Sequence, residues 1–221
     1  MDIIQAITQR RAVRAFLDKP VSKETVLKIL DIAKWAPSGV NAQPWYVTVV
    51  GPNAIQKIAH EICAARDNNI AENPDYLYYP RQWIEPYKSR RKACGAALYG
   101  ALQIKMKETQ KRKAAWYRNY SFFDAPCGLI FHLPKHFEKG SWMDMGMFLQ
   151  NIMLAAQAFG LATCPQASMA EYPDIIRQLL NIPKEHDIVC GMALGYADWS
   201  KAVNQYRTTR ESAESFTKYV D

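Results

Sequence analysis

Residues 145–159 read Met-Gly-Met-Phe-Leu-Gln-Asn-Ile-Met-Leu-Ala-Ala-Gln-Ala-Phe. Most are good helix formers, and at 3.6 residues per turn the apolar side chains occupy almost the whole circumference. Such a helix must be covered on both sides. In a chain of 221 residues one packed layer supplies one cover, so the pattern points to a second subunit for the other. The wider stretch 143–163 is interrupted by Asp144, Gln150, Asn151 and Gln157. Those polar groups argue for a buried helix of a soluble protein and against a membrane span.

The rest of the chain supplies layers around that helix. A short helix is expected over Ile3 to Gln9, and a second after Ser22, a good N-cap with Glu24 in the first turn. Val26, Ile29, Leu30 and Ala33 keep helical spacing, and Pro37 stops the helix because the residue before a proline is pushed out of the α region. Asn53 is expected to cap a helix to about Ala71, a charged helix is expected over 88–113, and another near Asp174 to Leu180. Trp45 to Val50 is rich in β-branched and aromatic residues and reads as a strand, and the apolar runs Pro126 to Leu133 and Ile188 to Tyr196 read as two more. Residues 66–90, with Pro74, Pro80 and Pro86, read as a long ordered loop. Strands are few and lack regular single-helix crossovers. The fold class is therefore α+β, a small, mostly antiparallel sheet wrapped by helices, with residues 1–221 as a single domain.

Several chemistries are excluded. No GxGxxG follows a strand, no GxxxxGK occurs, and there is no GxSxG elbow. The four histidines lack metal-ligand spacing, and Pro134 breaks any helix between His132 and His136, so no metal is expected. Five cysteines, none in a CxxC pair, suggest neither a disulfide framework nor a zinc site and fit a reducing compartment. The first sixteen residues lack the apolar core of a signal peptide, so a cytoplasmic location is expected. A net charge of +7 favours anionic partners. The densest basic run, Lys105 to Lys113, is most simply a solvated helix face.

Three segments carry chemistry. Arg10-Arg11-Ala12-Val13-Arg14 places three guanidiniums in five residues, and the planar fork of arginine suits phosphate. Ala36-Pro37-Ser38-Gly39-Val40-Asn41-Ala42-Gln43-Pro44-Trp45 is a proline-stiffened loop whose Ser38, Asn41 and Gln43 can read the polar edge of a planar heterocycle. Thr163-Cys164-Pro165-Gln166-Ala167-Ser168 follows the apolar helix and could offer backbone N–H groups to a flat ligand. Each alone has an ordinary reading: a basic helix end, a helix-to-strand turn, a loop.

In this order and spacing, and most strongly over residues 1–52 and 124–198, the three resemble the nitroreductase family of flavoproteins. The nearest likeness within it is to the bacterial nitrobenzoate and dinitroaniline nitroreductases. The resemblance implies an intertwined homodimer with FMN at the subunit interface and NADH or NADPH as electron donor. Hydride would pass in two steps through flavin N5 to a nitroaromatic, a quinone or a similar small aromatic acceptor. It implies that Arg10 and Arg11 hold the FMN phosphate, with Ala12 contacting through its backbone where relatives have serine. Arg14 would lie toward the N1/C2-carbonyl side as an electrostatic stabiliser. Ser38, Gly39 and Asn41 would reach the cofactor from the partner, with Gln43 fixing their loop. Pro165, Gln166, Ala167 and Ser168 would pass over one flavin face. From the tail, Arg210, with Arg207 as the rival, would complete the phosphate site. No side-chain acid or base is required.

Residues 66–120 match the family only loosely and stand as a variable, substrate-covering segment. Aromatic residues there and just beyond it are candidates for the substrate wall, chiefly Tyr76, Trp83, Tyr120, Phe122 and Phe123. The rival reading on the same fold is reductive dehalogenation or another flavin reaction, for which Glu72, Tyr76 and Lys88 could clamp a zwitterion. A remote rival is a nucleic-acid-binding module, which no recognition motif supports. Neither nucleic acid nor membrane is expected as a partner.

Overall fold

A computed structural model describes residues 2–221. Its helices are α1 (Ile3–Gln9), α2 (Lys23–Ala33), α3 (Pro52–Asp67), α4 (Tyr87–Ala101), α5 (Thr109–Tyr117), α6 (Lys139–Ala158) and α7 (Pro173–Leu180), and its strands are β1 (Tyr46–Val50), β2 (Cys127–Pro134), β3 (Ala162–Gln166) and β4 (His186–Gly195). The strands form one sheet in the order β1-β2-β4-β3, and every pairing is antiparallel. The fold is α+β, as the sequence indicates.

The local signals act as expected where they are strong. Ser22 Oγ accepts the Thr25 N–H at 3.1 Å, a cap that contributes about 1 kcal/mol. Val26, Ile29 and Ala33 then line the buried face of α2. That face packs with Met145, Phe148 and Ile152 of α6 against Leu129, Phe131 and Leu133 of β2 and Met192 and Leu194 of β4. Successive strand residues point to opposite faces, so Ile130 of β2 faces the other layer. There it meets Ile55, Ile58 and Ile62 of α3 and Ile176 of α7. Each fully buried aliphatic side chain stabilises the fold by about 1.5–3 kcal/mol.

Helix α6 lies against the sheet on one side only. Met143 and Met147, on its outer side, remain exposed at 70% and 39%. The two-sided apolar pattern is therefore half covered within the protomer.

Three elements differ from the sequence expectation. The segment 163–168 is not a loop: most of it is β3, at the edge of the sheet. Pro165 sits there because an edge strand need not donate every N–H. The charged helix over 88–113 is two helices, α4 and α5, with residues 102–108 in turns between them. Helix α3 begins with Pro52 in its first turn and Gly51 as cap, without an Asn53 cap, because proline's fixed φ suits that position.

Before β2, Phe122, Phe123 and Asp124 adopt left-handed backbone angles, with φ of 52°, 55° and 63°. Non-glycine residues pay for that conformation and keep it only where packing dictates it. Gly128 and Gly191 supply the packing. A Cβ on Gly128 would lie 2.7 Å from the Phe122 ring, and one on Gly191 would lie 2.5 Å from Met169 and 3.3 Å from the same ring. The two glycines leave a hollow on the sheet, and Phe122 fills it, fully buried.

Candidate functional site

After α1 the chain runs extended along β3. Ala12 bridges Thr163, and the Val13 N–H donates to Thr163 O at 3.0 Å. Val13 and Ala15 point into the core, so alternation sends the Arg14 side chain the other way. The tail returns across this segment. Asn204, only 1% exposed, accepts the Arg14 N–H on Oδ1 at 2.8 Å and donates from Nδ2 to Ala15 O and Asp198 O, each at 2.8 Å. Both amide hydrogens and the amide oxygen are engaged, which fixes the tail beside the arginines.

The result is a cavity of about 700 Å³ lined by Arg10, Arg11, Arg14, Arg207, Arg210 and Tyr206. None of these five arginines forms a salt bridge among the described residues. Arg14 Nη1 donates to Tyr206 Oη at 3.0 Å and to Ala12 O at 3.4 Å, and its guanidinium lies 5.9 Å from the Phe123 ring centre. Arg11 donates to Asn204 O at 3.3 Å and lies over Trp199, while its Nε is buried without a partner. Arg10 reaches only Met153 Sδ, and Arg207 only Thr8 O. Burial, and then the nearby Arg210, push the Arg10 pKa down. Converging guanidiniums without carboxylates, with an orphaned buried Nε among them, are a site short of negative charge. Their chemistry fits a phosphate or another polyvalent oxyanion. Both tail arginines line it, so neither Arg207 nor Arg210 is set aside.

The structure does not bring every candidate residue to this cavity. The loop 38–43 lies toward the other end of α6. There the Gly39 N–H donates to Asp144 Oδ2 at 3.2 Å. Asp144 and Met153, beside Arg10, are separated along the helix axis by about 13 Å. Ser38 Oγ accepts the Gln43 N–H at 3.0 Å and Gln43 Nε2 donates to Asn41 O at 3.2 Å. Val40, Asn41 and Gln43 are left-handed, which sets the Val40 side chain fully in solvent. At the end of β3, Pro165 and Ala167 reach the surface, whereas Gln166 and Ser168 are buried. Gln166 Nε2 donates to Asn119 O at 2.6 Å, and both Gln166 Oε1 and Ser168 Oγ lack partners.

The aromatic candidates divide. Tyr120 and Phe122 are fully buried, so neither lines a surface pocket in this protomer. Tyr120 Oη donates to Glu171 Oε2 at 2.5 Å and accepts from Arg66 Nε and Trp116 Nε1. Phe122 fills the two-glycine hollow. Phe123 is also buried, and it touches the site only through Arg14. Tyr76 donates to Val189 O at 2.5 Å and packs on Trp142, with ring centres 4.4 Å apart. Trp83 lies under Arg91. Glu72 is paired with Arg66 and the Tyr76 hydroxyl is engaged by the backbone, so two of the three side chains suited to clamping a zwitterion have structural tasks. Asp144, Asn204 and Tyr206 are the site residues that sequence reasoning missed.

No group of three or more His, Cys, Asp or Glu residues that could hold a metal ion occurs among the described residues, and no helix is long and apolar enough to cross a membrane. The five cysteines are free, and Cys127, Cys164 and Cys190 are buried.

Comparison with known proteins adds to this geometry. The family model described as "Nitroreductase family" matches residues 7–196. The chain is 38% identical to the 4-nitrobenzoate reductase of Pseudomonas putida, over 99% of this chain and 96% of that protein. It is 40% identical to the nitrobenzene nitroreductase of Ectopseudomonas oleovorans, over 97% and 95%. Among solved structures it superposes on the FMN-dependent nitroreductase from Mycobacterium smegmatis in complex with NADPH with a TM-score of 0.93 at 32% identity, covering 99% of this chain and 97% of the other.

Proposed function

From the premise that the chain belongs to the nitroreductase family, we propose that it is an FMN-dependent NAD(P)H oxidoreductase that reduces nitroaromatics, quinones or similar small aromatic acceptors. The observation that carries this reading is the arginine-lined cavity without internal counter-charge. Relatives are described as FMN-dependent and bound to NADPH or as reductases of nitroaromatics, and the residues present here fit the cofactor's phosphate.

When bound, FMN supplies the ring that takes up and gives out hydride; the protein's part is to hold and tune it. Arg10, Arg11, Arg207 and Arg210 hold the phosphate, with charge-assisted hydrogen bonds roughly twice as strong as neutral ones. Arg14, seated on Phe123 and Tyr206, is a fixed cation that would face the polar edge of the bound cofactor. Preorganised charge of this kind stabilises negative charge without reorganisation during reaction. Buried Gln166 and Ser168, each with a free acceptor, back the segment Pro165 to Ser168, which would lie beside the bound cofactor.

The protein acts as a homodimer. Trp35, Val40, Met143 and Met147 form exposed apolar surface around the loop 38–43 and α6, and a partner would cover it. The loop's distance from the arginines within one protomer supports its delivery of Ser38, Gly39, Asn41 and Gln43 to the partner's cofactor. Residues 66–120 cover the acceptor site, with Tyr76 and Trp83 as wall residues, and residues 1–221 act as one FMN-binding unit.

The visible spectrum of the purified protein tests the reading. Flavin bands that bleach on anaerobic addition of NADH or NADPH are expected, with the faster nucleotide naming the donor. A protein that stays colourless after incubation with FMN would overturn it. Sedimentation tests the assembly: a flavin-loaded monomer would refute the interface sites.

A further inference from the structure

Tyr206 brings to the arginine cavity a hydroxyl whose hydrogen has no protein acceptor among the described residues. Its oxygen accepts from Arg14 Nη1 at 3.0 Å, and it lines the cavity with Arg10, Arg11 and Arg14. Its position is over-determined. Two residues earlier, the buried Asn204 amide joins the tail to Arg14, Ala15 and Asp198, so shifting the tail would unpair a buried amide. Under Arg14, the Phe123 ring is held by the left-handed run anchored in the two-glycine hollow. Burial raises the Tyr206 pKa and Arg14 only partly opposes it, so at neutral pH the phenol keeps its proton and donates.

We propose that Tyr206 is the second donor of the anion site headed by Arg14, its O–H giving a hydrogen bond to the edge of the cofactor that becomes negative on reduction. This rests on the flavin reading above. A neutral donor gains more from a charged acceptor than from a neutral one, so the hydroxyl favours the reduced cofactor over the oxidised one. The Arg14 contact strengthens it further, because donating to the phenol oxygen polarises the O–H.

The test compares FMN-loaded wild type, Tyr206→Phe, and protein carrying 3-fluorotyrosine in place of Tyr206. FMN dissociation constants and two-electron midpoint potentials are measured at pH 7. Tyr206→Phe should bind oxidised FMN nearly as well as wild type. Its preference for reduced over oxidised flavin should fall about tenfold, which is about 30 mV for a two-electron couple. The fluorinated phenol is a better donor and a poorer acceptor, so it should raise the potential. An unchanged potential in Tyr206→Phe would overturn the inference. So would a fluorinated protein with a lowered potential, since the hydroxyl would then act only as an acceptor holding Arg14. Wild-type protein that takes up no FMN would remove the flavin reading itself, whereas unchanged potentials in a protein that binds FMN would remove this inference alone.

Discussion

Replacing Arg177 with methionine would remove the cation that ties the loop before α4 to the sheet. The Arg177 side chain is 8% exposed and Asp75 is 10% exposed. Its guanidinium pairs with Asp75 Oδ2, donates to Asp174 Oδ1 at 2.8 Å, and reaches His186 O at 3.0 Å. Without it, Asp75 keeps one donor, the Ile188 N–H at 2.8 Å. Breaking a buried pair from one side costs about 3–5 kcal/mol, because the other charge stays behind unpaired. For a domain of this size each kcal/mol moves Tm by about 2–4 °C, so Arg177→Met should melt about 6–20 °C below wild type. Asp75→Asn should be destabilising too, but the double variant should lose less than the sum, since no orphaned charge remains. Thermal melts at equal protein and FMN concentrations measure this, because ligand and partner shift apparent stability by mass action. A single variant melting within about 2 °C of wild type, or strict additivity in the cycle, would refute the claim that the pair ties the loop before α4 to the sheet.

The His132 side chain, buried between Thr48 and His186, gives a pH dependence. Burial first, then His186, hold its pKa at about 4, below the ordinary imidazole value of 6.5. The unfolded chain therefore binds the extra proton between those values, and stability is full above pH 6.5 and falls as pH drops toward 4. At about 1.4 kcal/mol per pH unit the loss approaches 3 kcal/mol. Urea midpoints from pH 4.5 to 7.5 should show a steeper slope in wild type than in His132→Gln, where His186, also lowered by burial, leaves a smaller one; equal slopes would dismiss it. Arg10→Ala should fold and bind FMN about ten- to a hundredfold more weakly by equilibrium dialysis, the loss of one charged hydrogen-bonding partner, and undiminished affinity would contradict the phosphate role. Gly191→Ala, whose Cβ would meet Met169 at 2.5 Å, should lose about 1–3 kcal/mol through overpacking in denaturant titrations; a neutral result would mean the hollow is slack.

What the sequence made legible was local or periodic. Ser22 sets its own cap, a β-branched and aromatic run marks β1, and apolar runs mark β2 and β4 close to their spans. Strand β3 escaped notice because Pro165 and Gln166 are poor strand formers, and they are tolerated only because β3 is an edge, a property of the assembled sheet. The break between α4 and α5 has no proline to mark it. Within the site, the RRAVR arginines were legible because they cluster in five residues. Asp144 and Asn204 were not, since their partners, Gly39 and Arg14, lie 105 and 190 residues away. Tyr120 and Phe122 were misplaced for a converse reason: an aromatic residue reads the same whether it fills a hollow in the core or lines a pocket.

The placement of the arginines toward one end of α6 and of the Gly39 loop toward the other has a genetic consequence under the proposed dimer. A subunit carrying Arg10→Ala spoils the phosphate half of its own site but still lends an intact loop to its neighbour. A subunit carrying Asn41→Ala does the reverse. Each variant alone yields homodimers with two damaged sites. Co-expressed, the two alleles give mixed dimers in which one site collects both lesions and the other collects none, so a cell holding two impaired copies recovers one undamaged centre per mixed dimer.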